Sequence, residues 1–174
     1  MLKKEMAFEI ELLNNADVPE IIGLILPIQQ QEHQVPVTIE DQPDLLNVEK
    51  HYQQKGGAFW GIKHQGTLLG TIALIKMEAE QGGVIRKMFV RKEYRGRELG
   101  LAQKLLEHLI CYAKKAGMSH LYLGTFHTLK AALRFYERNG FMQIEKVQLP
   151  SHFPIMEVDD VFFHLILNND DKCD

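Results

Sequence analysis

Residues 90–101, Val-Arg-Lys-Glu-Tyr-Arg-Gly-Arg-Glu-Leu-Gly-Leu, join the two strongest structural patterns in the sequence. The stretch that leads into them, 83–90, carries Val84, Ile85, Met88, Phe89 and Val90, a composition typical of a buried strand. After them, apolar residues recur at helical spacing, which predicts a helix that ends at Gly117. A strand is therefore expected to run through a short basic loop into the start of a helix. The residues at helical spacing are Ala102, Leu105, Leu106, Leu109, Ile110 and Ala113.

The loop in this stretch has the composition of an anion-binding site. A helix start presents backbone N–H groups without partners and the positive end of the helix dipole, and both attract phosphate. Arg95 and Arg97 add positive charge, and Gly96 and Gly100 let a ligand approach the backbone because they lack a Cβ atom. The sequence therefore predicts that this loop binds a pyrophosphate.

Charge is unevenly distributed along the 174 residues, whose net charge is −3. Residues 86–104 hold seven basic and two acidic residues, a net charge of +5, so the rest of the chain carries −8. A basic patch on an acidic protein favours a small anionic ligand over nucleic acid, and no nucleic-acid partner is expected.

Several observations predict a cytoplasmic protein without a membrane partner. The two cysteines, Cys111 and Cys173, suggest neither a disulfide framework nor a metal site, which favours a reducing compartment. The N-terminus lacks the apolar region of a signal peptide, and the longest apolar run, 21–28, is too short to span a membrane. The histidines show no paired ligand spacing, so no metal is predicted.

The rest of the sequence alternates between strand and helix patterns. Pro27 is expected to bend the first helix, and the polar stretch 29–34 either extends that helix or begins a loop. The order predicts an α/β (α+β, mixed-sheet) fold, with a single domain at 6–168 and a polar tail at 169–174. The predicted strands are 8–13, 59–63, 68–75, 84–90, 121–125, 141–147 and 161–167, and the predicted helices are 18–28, 45–55, 102–113 and 129–138.

Two motifs in this order resemble those of the GNAT N-acetyltransferase superfamily. Residues 95–100, Arg-Gly-Arg-Glu-Leu-Gly, resemble its Arg/Gln-x-x-Gly-x-Gly/Ala loop for the acetyl-CoA pyrophosphate. Residues 132–141, Ala-Leu-Arg-Phe-Tyr-Glu-Arg-Asn-Gly-Phe, are similar to its Ala-x-x-x-Tyr-Glu-x-x-Gly-Phe helix end. The resemblance implies the GNAT acyl-CoA N-acyltransferase fold, a central mixed sheet flanked by helices. It also implies acetyl-CoA as cosubstrate and an amine acceptor, either a small molecule or a protein, and it leaves a homodimer open.

The resemblance further implies direct attack of the amine on the thioester, with roles for particular residues. A backbone N–H around 88–90 would bind the oxyanion. Tyr136 matches the tyrosine that protonates the departing thiolate, although it shares a helix face with Leu129 and Leu133 and could be a core residue instead. The expected cofactor-binding residues are Met88, Phe89, Val90, Arg95, Gly96, Arg97, Glu98, Leu99, Gly100, Leu101 and Thr125.

Three positions depart from the family pattern. Glu98 replaces the first glycine of the loop motif, so its backbone must avoid positive φ and its carboxylate must point away from phosphate. Leu129 stands where the family often has asparagine, and Val84 where many members have a glutamate base. The general base is therefore unassigned. His127 and His152 lie in loops, where each either faces the cleft for the amine acceptor or, in the preferred interpretation, is an ordinary surface residue.

Two other functions fit parts of the sequence. A non-catalytic acyl-CoA sensor of the same fold would bind acetyl-CoA without releasing CoA. A generic nucleotide-binding domain would bind ATP or NAD equally well, but the sequence contains neither a P-loop lysine nor Gly-x-Gly-x-x-Gly.

Overall fold

The computed structural model describes residues 6–78, 81–168 and 173. Its strands are β1 (Glu9–Leu12), β2 (Ala58–His64), β3 (Thr67–Met77), β4 (Gly82–Val90), β5 (His120–Thr125), β6 (Met142–Ile144) and β7 (Val161–Ile166). Its α-helices are α1 (Val18–Pro27), α2 (Val48–His51), α3 (Leu101–Lys115) and α4 (Lys130–Arg138).

These strands form one sheet in the order β1-β2-β3-β4-β5-β7-β6. The pair β4–β5 is parallel, whereas β1–β2, β2–β3, β5–β7 and β6–β7 are antiparallel. The predicted mixed sheet is therefore confirmed.

The chain divides into two compact units. The first unit combines the chain up to Ile75 with Arg86–Ile110, and the second unit combines Lys76–Ile85 with the chain from Cys111 onward. The expectation that residues 6–168 form a single domain stays a prediction. The predicted tail at 169–174 lies outside the described residues, apart from Cys173.

Helix α1 belongs to the first unit and buries one apolar face. Ile21, Leu24 and Ile25 are at most 1% exposed and pack in its hydrophobic core. Pro27 lacks a backbone N–H, and the residues after it, Ile28–Glu32, form a π-helical turn. Of the two alternatives for the polar stretch after Pro27, extension of the helix is therefore the one observed.

The helix predicted at 45–55 is wrong. A 3-10 turn (Pro43–Leu46), the short α2 and a second 3-10 turn (Gln53–Lys55) take its place. The break has a local cause, because the Asn47 side chain accepts a hydrogen bond from the Lys50 N–H and starts a new helix. Gly56, at φ 87°, ends the last turn.

The second unit contains the paired strands β5, β6 and β7 and the start of β4. Strand β6 is shorter than the predicted 141–147, because residues 145–148 turn away from the sheet. Gln148 Oε1 accepts from the Glu145 N–H at 2.7 Å, and the Glu145 side chain accepts from the Gln148 N–H. This reciprocal cap stabilises a 3-10 turn where strand was expected.

Cys111 and Cys173 form a disulfide in the second unit. The reducing compartment, which was expected because the cysteines suggested no disulfide framework, therefore loses the support that it drew from them. A separation of 62 residues gave no sequence signal for the pairing. Within the part of the chain that the structure describes, no helix is long and apolar enough to cross a membrane.

Candidate cofactor-binding site

Two glycines shape the loop between β4 and α3. Gly96 and Gly100 have φ values of 110° and 63°, which side chains with a Cβ atom rarely adopt. The Gly100 N–H donates to the Gly96 carbonyl at 3.1 Å, and the Lys104 N–H donates to the Gly100 carbonyl at 3.0 Å. The loop therefore closes one turn of its own immediately before the helix begins.

This arrangement leaves a row of backbone amides without acceptors. Among the seven amides expected to bind the pyrophosphate, those of Arg95 and Gly100 donate within the protein, the first at 3.4 Å to Lys92. The other five amides of this set, and the amide of Ala102, donate to no acceptor within residues 6–78, 81–168 and 173. An anion at the start of α3 would satisfy them. The amides without acceptors are those of Gly96, Arg97, Glu98, Leu99, Leu101 and Ala102.

Side chains of the loop divide into buried and exposed ones. Leu99 is buried and anchors the loop to the core of the protein. Glu98 is exposed and has no positive φ, so the departure from the glycine motif causes no backbone strain. Arg97 is exposed and has no hydrogen bond or ion pair with any described residue. Its charge is therefore available to an anion.

Arg95 makes internal contacts that the sequence did not indicate. Its Nε donates to the Val90 carbonyl at 2.7 Å, and its Nη2 lies 2.7 Å from Glu32 Oε2. The contact with phosphate expected for its side chain stays a prediction, in competition with these partners. The carboxylate partner is 63 positions earlier in the chain, which is why sequence reasoning missed it.

The end of β4 carries the residues expected to bind the oxyanion, and its backbone is irregular just before them. Lys87 adopts a φ of 55° inside the strand, and Thr71 Oγ1 donates to its carbonyl at 2.7 Å. Lys87 is buried, and its Nζ donates to Gln42 Oε1 at 2.6 Å and lies 3.7 Å from Asp44 Oδ2. These contacts hold a strained backbone position immediately before Met88. No sequence signal indicated this conformation.

Tyr136 lies in the second unit, with its ring among aromatic side chains. The ring centroids of Phe135 and Phe141 are each 5.4 Å away, and that of Phe163 is 6.0 Å away. Burial raises the pKa of the Tyr136 phenol well above its ordinary value. The hydroxyl forms no hydrogen bond with any residue that the structure describes. The ring is thus a core residue, as one interpretation held, while the hydroxyl is available for proton transfer.

The remaining expected residue, Thr125, ends β5 in the second unit. It is buried, and its carbonyl accepts from the Asp160 N–H at 2.9 Å. The Asp160 carboxylate also accepts from the His127 N–H at 2.8 Å and pairs with the His127 ring, and the hydrogen bond from that ring lowers the pKa of Asp160. Asp160 therefore orients the exposed His127, a contact that sequence reasoning missed.

Comparison with known proteins decides the family. The profile of the Acetyltransferase (GNAT) family matches residues 24–141. The chain belongs to this GNAT family.

Several GNAT relatives resemble the chain over much of its length. It is 31% identical to the probable N-acetyltransferase camello of Xenopus tropicalis, over 62% of the chain and 49% of that protein. The chain thus spans about half the length of this curated relative. A GNAT acetyltransferase structure from Staphylococcus aureus Mu50 is 37% identical with a TM-score of 0.89, covering 93% of the chain and all of that protein. The GNAT fold predicted from the two motifs is therefore confirmed.

A more distant solved structure shares the fold. The acetyltransferase yncA of Salmonella typhimurium, solved with acetyl-CoA, is 18% identical with a TM-score of 0.70, over 93% of the chain and 95% of that protein. At this identity the likeness concerns the fold alone.

The GNAT departures noted in the sequence have structural consequences. Val84 is fully buried in β4, and its aliphatic side chain cannot act as a base. Leu129 occupies the N-cap position of α4, where its side chain makes no capping hydrogen bond. Within the described residues, no group of three or more His, Cys, Asp or Glu side chains could hold a metal ion.

Proposed function

We propose that the protein transfers the acetyl group of acetyl-CoA to a primary amine of a small molecule or a protein, by direct attack. The observation that carries the proposal is the row of acceptor-free amides at the start of α3. Backbone donors and a helix dipole together suit a diphosphate. The GNAT family and its relatives named N-acetyltransferases support the transferase chemistry.

Each expected residue has a distinct task in this proposal. The acceptor-free amides hold the diphosphate, and Arg97 adds positive charge beside it. Backbone N–H groups at 88–90 stabilise the oxyanion, and the contacts of Lys87 with Thr71 and Gln42 hold the backbone immediately before them. Tyr136 protonates the thiolate, and its raised pKa keeps the phenol in the proton-carrying form that an acid needs.

The amine is proposed to attack the thioester directly because both cysteines are in a disulfide. Cys111 and Cys173 are joined to each other, so neither offers a thiol to carry an acetyl group.

Binding and turnover test the proposal in two steps. At about a hundredfold its Kd, a ligand stabilises the folded state by roughly 2.7 kcal/mol. We therefore expect a rise in Tm with acetyl-CoA and none with ATP. Release of free thiol should follow when a panel of amines is added. Binding without release for any amine would favour the sensor alternative, and equal stabilisation by ATP would overturn the proposed cofactor.

A further inference from the structure

The Arg95 guanidinium joins three parts of the first unit. It extends from the loop, donates through Nε to the carbonyl of Val90 at the end of β4, and pairs through Nη2 with Glu32. The side chains of Arg95 and Glu32 are only 38% and 31% exposed, so both are partly shielded from solvent. A charge-assisted contact of 2.7 Å in such surroundings favours a defined geometry over a loose surface ion pair.

Glu32 projects from a fixed piece of backbone. It is the last residue of the π-helical turn that follows Pro27, and Ile28 at the start of this turn is buried in the core. The His33 N–H closes the turn on the Ile28 carbonyl at 3.0 Å, and the Val35 N–H donates to the Gln29 carbonyl at 2.9 Å. The carboxylate therefore approaches the loop from a defined position.

The loop needs such an anchor, because it contains two glycines. Gly96 and Gly100 give the free chain many backbone conformations, and ordering them costs conformational entropy. In the observed arrangement, six amides of the loop and the start of α3 have no acceptor among the described residues. The contacts of Arg95, the first residue of the loop, with Glu32 and Val90 restrict the loop before the ligand binds, so ligand binding has less conformational entropy to remove.

We propose that Arg95 is a positioning residue, whose guanidinium, held by Glu32 and the Val90 carbonyl, fixes the loop that binds the diphosphate. This inference rests on the proposed function and deepens it. It replaces the direct phosphate contact expected for the Arg95 side chain by an indirect role through the backbone.

The two roles of Arg95 predict opposite effects of Glu32→Gln. If the guanidinium binds phosphate directly, Glu32 competes with the ligand, and its neutralisation tightens CoA binding. If the guanidinium positions the loop, the same change weakens the contact between Arg95 and residue 32, and CoA binding becomes weaker. The sign of one measured change therefore separates them.

The experiment measures the Kd of CoA by calorimetry for the full chain and four variants. Glu32→Gln should raise the Kd by about two- to fivefold, the range expected for one partly exposed ion pair. Glu9→Gln is the matched control, since Glu9 is an exposed carboxylate of the same unit without a side-chain partner among the described residues. It should leave the Kd unchanged. The double variant Glu32→Gln with Arg95→Gln should bind no more weakly than Arg95→Gln alone, because the pair acts as one unit.

Kinetics supply a second readout that general destabilisation would not produce. Glu32→Gln should raise the KM for acetyl-CoA, with kcat and the KM for the amine unchanged. A Kd that falls or stays equal in Glu32→Gln would overturn the positioning role. Failure of the wild-type protein to bind CoA would instead overturn the proposed function, so the two failures are distinguishable.

Discussion

Tyr136 illustrates how one residue serves packing and chemistry with different atoms. Its ring contacts three phenylalanines, while its hydroxyl has no partner in the described structure. We expect Tyr136→Phe to lower kcat by about a hundredfold or more, the usual contribution of a positioned acid. The Kd of CoA and the Tm should stay close to wild type, since the variant keeps the ring. Unchanged kcat would show that another group protonates the thiolate.

The raised pKa of Tyr136 also has a consequence for stability. Burial disfavours the phenolate, so above the ordinary tyrosine pKa of about 10 the unfolded chain loses this proton before the folded one does. The stabilising contribution of the protonated phenol is therefore complete below about pH 10 and is lost as pH rises further. Urea unfolding from about pH 8 to about pH 11 should show wild type losing more stability than Tyr136→Phe. Parallel curves for the two proteins would contradict this effect of burial.

Glu98 places a negative charge among the amides expected to bind a diphosphate. Its replacement, Glu98→Gln, should tighten CoA binding by about two- to fivefold at low ionic strength, since charges at helix termini contribute roughly 0.3–1 kcal/mol. The gain should shrink in high salt, because the interaction is screened. An unchanged Kd at low salt would show that the charge of this carboxylate does not act on the bound diphosphate.

At this scale, the sequence predicted what depends on neighbouring residues and missed what depends on distant ones. Gly96 and Gly100 were predicted to leave the loop backbone open to a ligand, and both adopt positive φ values that suit glycine. The positive φ of Lys87 could not be predicted, since Thr71 and Gln42, which hold it, lie far away in the sequence. The Glu32 contact of Arg95 escaped prediction for the same reason.

Among the elements, strand β3 leaves no room beside Gly57. A Cβ atom there would lie 2.0 Å from the Leu74 carbonyl oxygen, which is backbone and cannot rotate away. We expect Gly57→Ala to reduce the free energy of unfolding by about 1–3 kcal/mol or more. Gly23→Ala adds the same methyl group to the exposed side of α1, where nothing lies within 4 Å. It should stabilise the protein by about 0.5–1 kcal/mol, and the opposite ordering in urea unfolding would refute this packing.

Helix α3 and the segment 45–55 show when periodicity predicts an element. Helix α3 has a sustained apolar stripe, and Leu105, Leu106 and Leu109 on it are fully buried. Segment 45–55 has fewer apolar residues, and the cap formed by Asn47 outweighs its weak helical pattern. Local hydrogen bonding therefore decides the structure where hydrophobic burial is small.

For the molecule as a whole, the two motifs and the order of elements were enough to predict the GNAT fold. The disulfide between Cys111 and Cys173 was not predictable, because 62 residues separate them and the sequence alone does not show that the fold brings them within bonding distance.

A thiol titration of the denatured protein tests this disulfide. Without reductant it should find no free thiols, and after reduction it should find both cysteines of the chain. Two reactive thiols before reduction would contradict the bridge and restore the support that unpaired cysteines gave to a reducing compartment.

The central claim is that backbone amides at the start of α3 bind the diphosphate of CoA. Amide NMR shifts of the protein titrated with CoA, and separately with pantetheine, which lacks the diphosphate, test this claim most directly. We predict that the amides of Gly96, Arg97, Glu98, Leu99, Leu101 and Ala102 shift with CoA and stay in place with pantetheine. Shifts confined to other parts of the chain, with these amides unchanged at saturating CoA, would contradict it.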